Sequence, residues 1–353
     1  MTDTTLSEMS GSEGRASSEP VLRVRDLRTR FELPGGDFNA VDGVSFDVEA
    51  GRTMCLVGES GCGKSMTSLS VMGLVPSPGK VVSGEVLLNG RNIADLRPRE
   101  LQKIRGSEVS MVFQQPLSAL NPSYRVGTQI REVFTLHRDW TRAEQTEAII
   151  ARLRDVGMPD PEARLKAFPH ELSGGMAQRV MIAMALACEP DVLIADEPTT
   201  ALDVTMQAQI LDLVAELQKS RGTAVVFITH DLGVVAEIAD DVAVMYAGEI
   251  VEKTGVEALF DNPMHPYTKG LIKSAPLLGA AGERLVVIPG NVPNLADVGP
   301  GCRFASRCTA RIEAGLTACE SHHPQLREIE PGHSVRCWLY DDTAPVAGSG
   351  EEA

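Results

Sequence analysis

The chain has 353 residues, 43% hydrophobic and 23% charged, which is ordinary for a globular protein with a substantial core. Its 48 acidic residues outnumber 33 basic ones, and the formal net charge of −15 argues against nucleic acid as the main partner. No stretch nears the ~20 apolar residues needed to span a bilayer, and the polar start lacks the basic and apolar regions of a signal peptide.

Residues 1–20, rich in Ser, Thr, Glu and Gly, read as a disordered tail, as do residues 342–353. A cytoplasmic location is the resulting expectation, and the seven cysteines should be reduced there unless they bind metal. From Val21 to about Arg52 the chain alternates in the manner of strands (VLRVRDL, then AVDGVSFDV). The apolar run Thr53–Val57 is a short buried strand, and a helical pattern begins at Lys64 after a glycine-rich loop. Ser83–Gly90 is a further strand closed by a turn. The pattern from Pro116 to His170 is mostly helical and more charged. Val192–Ala195 and Ala224–Thr229 are fully apolar strands separated by a helix over Val204–Gln218. Val242–Lys253 reads as a hairpin with Ala-Gly at its turn. Apolar strands alternating with helices predict a mostly parallel α/β sheet. Beyond Lys253 proline becomes frequent and four cysteines appear, which places a domain boundary near residue 255 and a smaller, loop-rich unit over 256–341.

GESGCGKS, Gly58–Ser65, fits G-x-x-x-x-G-K-[ST] between a predicted strand and a predicted helix, the context the motif requires. The loop (Gly58, Glu59, Ser60, Gly61, Cys62, Gly63) and the first helical residues through Met66 would wrap a nucleotide's phosphates with backbone N–H groups. Lys64 would reach the β- and γ-phosphates and Ser65 would ligate Mg²⁺. Cys62 occupies a variable position, where a thiol near a helix N-terminus can be reactive; Cys55 and Cys188 read as small core residues. The apolar strand Val192–Ala195 ends in Asp196-Glu197: Asp196 suits holding the metal, and Glu197 suits orienting and deprotonating an attacking water. Phe31, after the first strand, is the better candidate to stack on an adenine, with Phe38 the alternative.

With these motifs in place, the chain closely resembles the ABC-type ATPase family. LSGGM (Leu172–Met176) resembles the family signature, with Met176 where Gln is common; Ser173, Gly174 and Gly175 would there bind the ATP of an opposite subunit. Ser173 can cap a helix starting at Gly174, leaving bare N–H groups for a γ-phosphate. Gln114 in VFQQP resembles the Q-loop glutamine, near the metal and nucleophile; Asp203 in TALD resembles the D-loop, and His230 in FITHD the switch histidine at the γ-phosphate. The resemblance implies an α/β P-loop NTPase of ABC type with an antiparallel β segment over 21–255 and a helical subdomain at about 115–180. A small loop-rich C-terminal domain with a four-cysteine site would follow.

MAQRVMIAMALACEPDVLIADEPTTALDVT, NPMHPYTKGLIKSAP (Asn262–Pro276) and GCRFASRC (Gly301–Cys308) resemble the oligopeptide/dipeptide transporter branch, in particular its D-type ATPase subunit. This implies an ATPase driving peptide import at the cytoplasmic face of the plasma membrane, with a sister ATPase (or a second copy), two permeases and an external binding protein. Nickel, glutathione and oligosaccharide carriers in the same branch leave the cargo open. A soluble ABC ATPase acting on DNA or the ribosome fits less well, since the chain has neither a long coiled-coil insertion nor a second ATPase domain. Cys302, Cys308, Cys319 and Cys337, separated by five, ten and seventeen residues, lack the C-x₂-C pairs of zinc ribbons. Free thiols, zinc and a [4Fe–4S] cluster are the alternatives, and the resemblance favours the cluster.

Overall fold

The structure, a computed structural model, describes residues 19–199, 203–274 and 288–341. The tails expected at both ends fall almost wholly outside these residues, as do Ala275 and Pro276 of the Asn262–Pro276 segment and Thr200–Leu202 of the TALD motif.

The early alternation becomes β1 (Leu22–Phe31) and β2 (Phe38–Val48), antiparallel partners that bury Leu22, Val24, Leu27, Val41, Val44 and Phe46 on one face. With β4 (Gly79–Leu88) and β5 (Arg91–Asn92) they form a four-stranded antiparallel sheet in the order β2-β1-β4-β5. The uniformly apolar strands build a second sheet, because a strand covered on both faces has no polar side to spare. These are β3 (Thr53–Val57), β6 (Val109–Val112), β7 (Val192–Asp196), β8 (Ala224–Thr229) and β9 (Asp241–Tyr246). All five run parallel, and β10 (Glu249–Gly255) turns back antiparallel on β9 through Ala247-Gly248. Completed by β11 (Arg327–Glu330) and β12 (His333–Val335), the order is β11-β12-β10-β9-β3-β8-β7-β6.

That order brings the functional strand ends together. β3 lies between β8 and β9, with Val57 level with Thr229 and Val244, while Asp196 on β7 is level with Ile228 on β8. In open α/β sheets, ligands bind just beyond such carboxyl ends. α1 (Lys64–Val71) leaves the tip of β3, and α2 (Pro98–Ile104) follows the antiparallel sheet. The predicted helical stretch comprises α3 (Pro116–Ala119), α4 (Val126–His137), α5 (Arg142–Asp155), α6 (Pro161–Arg164) and α7 (Gly174–Ala185). Ile130, Phe134, Ile149, Leu153, Val180 and Met181 give this layer its own core. Thr141 and Glu144 cap α5 reciprocally, closing two orphan backbone donors.

α8 (Val204–Arg221) and α9 (Leu232–Ile238) flank β8. Beyond β10 come α10 (Val256–Asp261), α11 (Pro266–Ser274), α12 (Thr309–Glu313) and α13 (Ala318–Ser321). The position expected for a boundary coincides with the end of β10, yet the chain returns to that strand: β12 pairs with it, and the Arg336 N–H donates to Val251 O at 2.8 Å. Glu252, fully buried on β10, accepts from the N–H groups of Met264 and His265 at 2.7 and 2.8 Å, and His333 Nε2 lies 2.8 Å from its Oε1.

Candidate active site

Gly58, Gly61 and Gly63 all take positive φ, which lets residues 58–63 curl over the tip of β3. A Cβ on Gly58 would stand 2.3 Å from Met245 O, and one on Gly63 2.6 Å from Ala40 O, so the neighbouring strands demand glycine at both. Lys64 is 4% exposed, and its Nζ donates to Gly58 O at 2.8 Å and Glu59 O at 3.1 Å. Cys62 is buried, and desolvation raises its thiol pKa despite Lys64 nearby, the opposite direction from the activation that its place in the loop suggested. Cys55 and Cys188 are buried, as expected of core residues. Met66 also packs its side chain against the core.

Ser65 and Asp196, 131 positions apart, meet: Ser65 Oγ donates to Asp196 Oδ1 at 2.9 Å. Burial raises the Asp196 pKa, with Ser65 and Lys64 opposing and Glu197 reinforcing that shift. Glu197 takes a left-handed conformation, φ 46°, and its N–H donates to Ile228 O at 3.0 Å. This turn directs its carboxylate to Gln114, whose Nε2 donates to Oε2 at 2.8 Å, while His230 Nδ1 stands 3.6 Å from Oε1. Five residues read from four motifs, Ser65, Gln114, Asp196, Glu197 and His230, thus gather beyond the ends of β3, β6, β7 and β8.

The Ser-Gly-Gly turn stands apart from them. Ser173 caps α7 by accepting from the Met176 N–H at 3.3 Å, and Asp203 caps α8 by accepting from the Met206 N–H at 2.9 Å. Among the described residues, no hydrogen bond or ion pair joins Ser173, Gly174 or Gly175 to residues 58–66. Ser173 and Gly174 are exposed, with open space above Gly174. Phe31 and Phe38, the two candidates for adenine stacking, stack on each other at 5.5 Å between ring centres.

Two contacts to the loop escaped the motif reading. Glu59 is engaged by Tyr267 and Arg307, and Arg303 reaches back to Asp42, Glu249 and the Ala247 carbonyl. Neither Arg303 nor Arg307 carries a local signal, because both sit inside a segment whose evident feature is its cysteines.

The expected [4Fe–4S] cluster, or zinc, at Cys302, Cys308, Cys319 and Cys337 is corrected by the structure. The four thiols line one cavity, but its volume is only about 10 Å³, no more than a single water needs. Among the described residues no group of three or more His, Cys, Asp or Glu side chains is placed to hold a metal ion. Burial pushes Cys302 and Cys337 up to about 12 and raises Cys308 and Cys319 as well, and the four side chains share their cavity with Phe304, Leu316 and Trp338. Four cysteines within a short segment are an ambiguous signal, because spacing does not show how tightly sulfurs pack.

Comparison with known proteins agrees with the geometry. The profile described as ABC transporter matches residues 41–200. Among solved structures, the bacterial ABC transporter cassette MJ0796 matches with a TM-score of 0.61 and 26% identity, over 67% of this chain and 98% of that one. It has been solved as a dimer, including a post-hydrolysis state with ADP and Pi. cbiO1 from Clostridium perfringens matches with a TM-score of 0.58 and 27% identity, over 69% of this chain and 92% of its own. A loop over a β3 tip, facing a strand-end carboxylate pair, is in this setting an ATP-hydrolysing centre, and the chain belongs to the ABC transporter ATPases.

The branch follows from the remaining residues. The profile described as oligopeptide/dipeptide transporter, C-terminal region, matches residues 251–314. The dipeptide transport ATP-binding protein DppD of Bacillus subtilis is 48% identical over 330 residues, 93% of this chain and 97% of that protein. The oligopeptide transport ATP-binding protein OppD of Escherichia coli is 48% identical over 321 residues, 91% and 94% of the two chains. The resemblance read from the motifs and the C-terminal segments is therefore borne out.

Proposed function

We propose that this chain is the ATP-hydrolysing subunit of an importer for di- or oligopeptides, acting at the cytoplasmic face of the plasma membrane. The observation that carries the reading is the convergence of Ser65, Asp196, Glu197 and Gln114, tied by hydrogen bonds of 2.9 and 2.8 Å beside the phosphate loop. Ser65 Oγ and the Asp196 carboxylate are hard oxygen donors suited to Mg²⁺, with Gln114 close by. When bound, that ion would offset the charge of the β- and γ-phosphates.

Backbone N–H groups of residues 61–66 and the Lys64 ammonium would hold the phosphates, and Phe31 would stack on the adenine. Glu197 takes a proton from water as its oxygen bonds to the γ-phosphorus; the bond to the β-bridging oxygen breaks, leaving ADP and phosphate. Gln114, donating to Glu197 at 2.8 Å, would orient the carboxylate, and His230, 3.6 Å from the same carboxylate, would contact the γ-phosphate. Among the described residues Ser173, Gly174 and Gly175 share no hydrogen bond or ion pair with residues 58–66, which supports a head-to-tail pair in which these residues and Asp203 complete the partner's site. A sister ATPase is the expected partner, with two permeases and an external binding protein. Supporting the permease contact is an apolar groove beside Gln114, about 270 Å³, lined by Met72, Leu74, Phe113, Leu120 and Met181. Among the described residues no helix is long and apolar enough to cross a membrane, so the membrane path falls to other subunits in this reading. Residues 21–255 form the ATPase unit, with its helical subdomain, and 256–341 a C-terminal unit fastened to it.

Glu197→Gln tests the chemistry. Fluorescent ATP should bind as before while phosphate release falls roughly 10²- to 10⁴-fold, the usual contribution of a general base. Release at the unaltered rate would show that another group is the base. Uptake of a labelled tripeptide in cells carrying this variant tests the cargo: intact peptide uptake with lost nickel or oligosaccharide uptake would reassign it.

A further inference from the structure

The phosphate loop is gripped from a distance. Its second residue, Glu59, is held at backbone and side chain by residues 208 and 248 positions further along. The Glu59 N–H donates to the Tyr267 hydroxyl at 2.8 Å, and its carboxylate accepts from Arg307 at 2.7 and 3.1 Å. A two-pronged guanidinium–carboxylate pair fixes orientation as well as distance.

Both gripping residues are themselves immobilised. Tyr267 is fully buried, against Tyr246 and Phe304 at ring-centre distances of 4.7 and 5.5 Å. Arg307 is 6% exposed; its Nε donates to Pro289 O at 2.8 Å, and its guanidinium lies over the Tyr246 ring at 5.7 Å. The bond to Glu59, more than any other influence, raises the Arg307 pKa, so the charge is permanent. What they grip matters for the nucleotide. Lys64 Nζ donates to the carbonyls of Gly58 and Glu59, and at 4% exposure its reach depends on where those carbonyls stand.

We propose that Arg307 and Tyr267 are positioning residues for the phosphate loop, fixing the Glu59 peptide so that Lys64 meets the phosphates of ATP. The C-terminal unit thereby sets nucleotide affinity without touching the nucleotide. This inference rests on the loop being the ATP site, which binding of fluorescent MgATP by the unaltered chain tests separately.

The experiment uses the full chain with methylanthraniloyl-ATP and Mg²⁺ for Kd, and phosphate release for KM and kcat. Arg307→Ala is expected to raise Kd and KM about tenfold while kcat changes less than about threefold, the signature of lost uniform binding. Arg307→Lys, which keeps one charged hydrogen bond, should recover part of that loss. Combining Glu59→Gln with Arg307→Ala should add little to Arg307→Ala alone, because the two residues act as one unit. Tyr267→Phe, which strands a backbone donor, should raise Kd severalfold with little loss of fold, and it decides the matter if Arg307→Ala does not fold. Kd and KM within roughly twofold of the unaltered chain in a folded Arg307→Ala or Tyr267→Phe variant would overturn the proposal.

Discussion

His265 offers a stability test with a calculable size. The residue is 1% exposed, and burial, with the Arg336 charge adding to it, pushes its imidazole down to about 3. In the unfolded chain the same ring titrates near ~6.5. The folded value lies below the unfolded one, so as pH falls the unfolded chain takes up the proton first. The stability associated with a neutral His265 is therefore complete above about pH 6.5 and drains away as the pH falls toward the folded value. Each pH unit in that window costs about 1.4 kcal/mol, so the loss by pH 5.0 is about 2 kcal/mol. Asn is the informative replacement: its side-chain oxygen can accept the Tyr267 N–H that now donates to His265 Nδ1 at 3.1 Å, and it does not titrate. Urea unfolding of the chain and of His265→Asn, each at pH 7.5 and 5.0, gives the four free energies needed. The unaltered chain should lose about 2 kcal/mol more than the variant between these conditions. Equal losses in both would refute the reasoning.

Gly63→Ala forces a Cβ to within 2.6 Å of Ala40 O at a φ of 104°, so fluorescent ATP binding should weaken roughly ten- to hundredfold while the circular dichroism of the chain is kept. Unchanged affinity would mean that the loop can shift away from β2 without consequence. Arg303→Met strips Asp42 and Glu249 of a shared, largely buried cation and should cost about 3–5 kcal/mol in urea unfolding. A loss well below about 1 kcal/mol would show that His323, 3.0 Å from Glu249, and Arg28, on Asp42, suffice as partners.

The parts of the site legible in the sequence are those whose signal is local. Residues 58–65 announce themselves because a close turn needs glycine and a phosphate needs Lys64, and Asp196-Glu197 stands out against four apolar residues before it. The uniform apolarity of β3, β7 and β8 foretold a sheet covered on both faces, and hence strand ends gathered at one edge. Distance defeated the remainder. FASRC says nothing of Glu59, because the partner of Arg307 is set by how residues 288–341 fold back. Phe31 and Phe38 carry no local mark that separates them: they face one another as register partners on β1 and β2 and stack ring on ring. The cysteine expectation failed because sulfur count and spacing leave packing unspecified, and here the thiols close to a space of about 10 Å³.

The return of the chain to β10 also orders its synthesis. When Gly255 has emerged from a ribosome, every strand through β10 exists, yet the outer edge of β10 waits for Ser334 and Val335, some eighty residues later. Until then Ile250–Thr254 offers unpaired backbone to any other growing chain, the usual opening for aggregation. The strand that finally takes the exposed position is Arg-Glu-Ile-Glu, whose charges repel further additions. Truncations near residue 255, a natural choice for anyone seeking a minimal ATPase, would freeze the chain at its most adhesive moment.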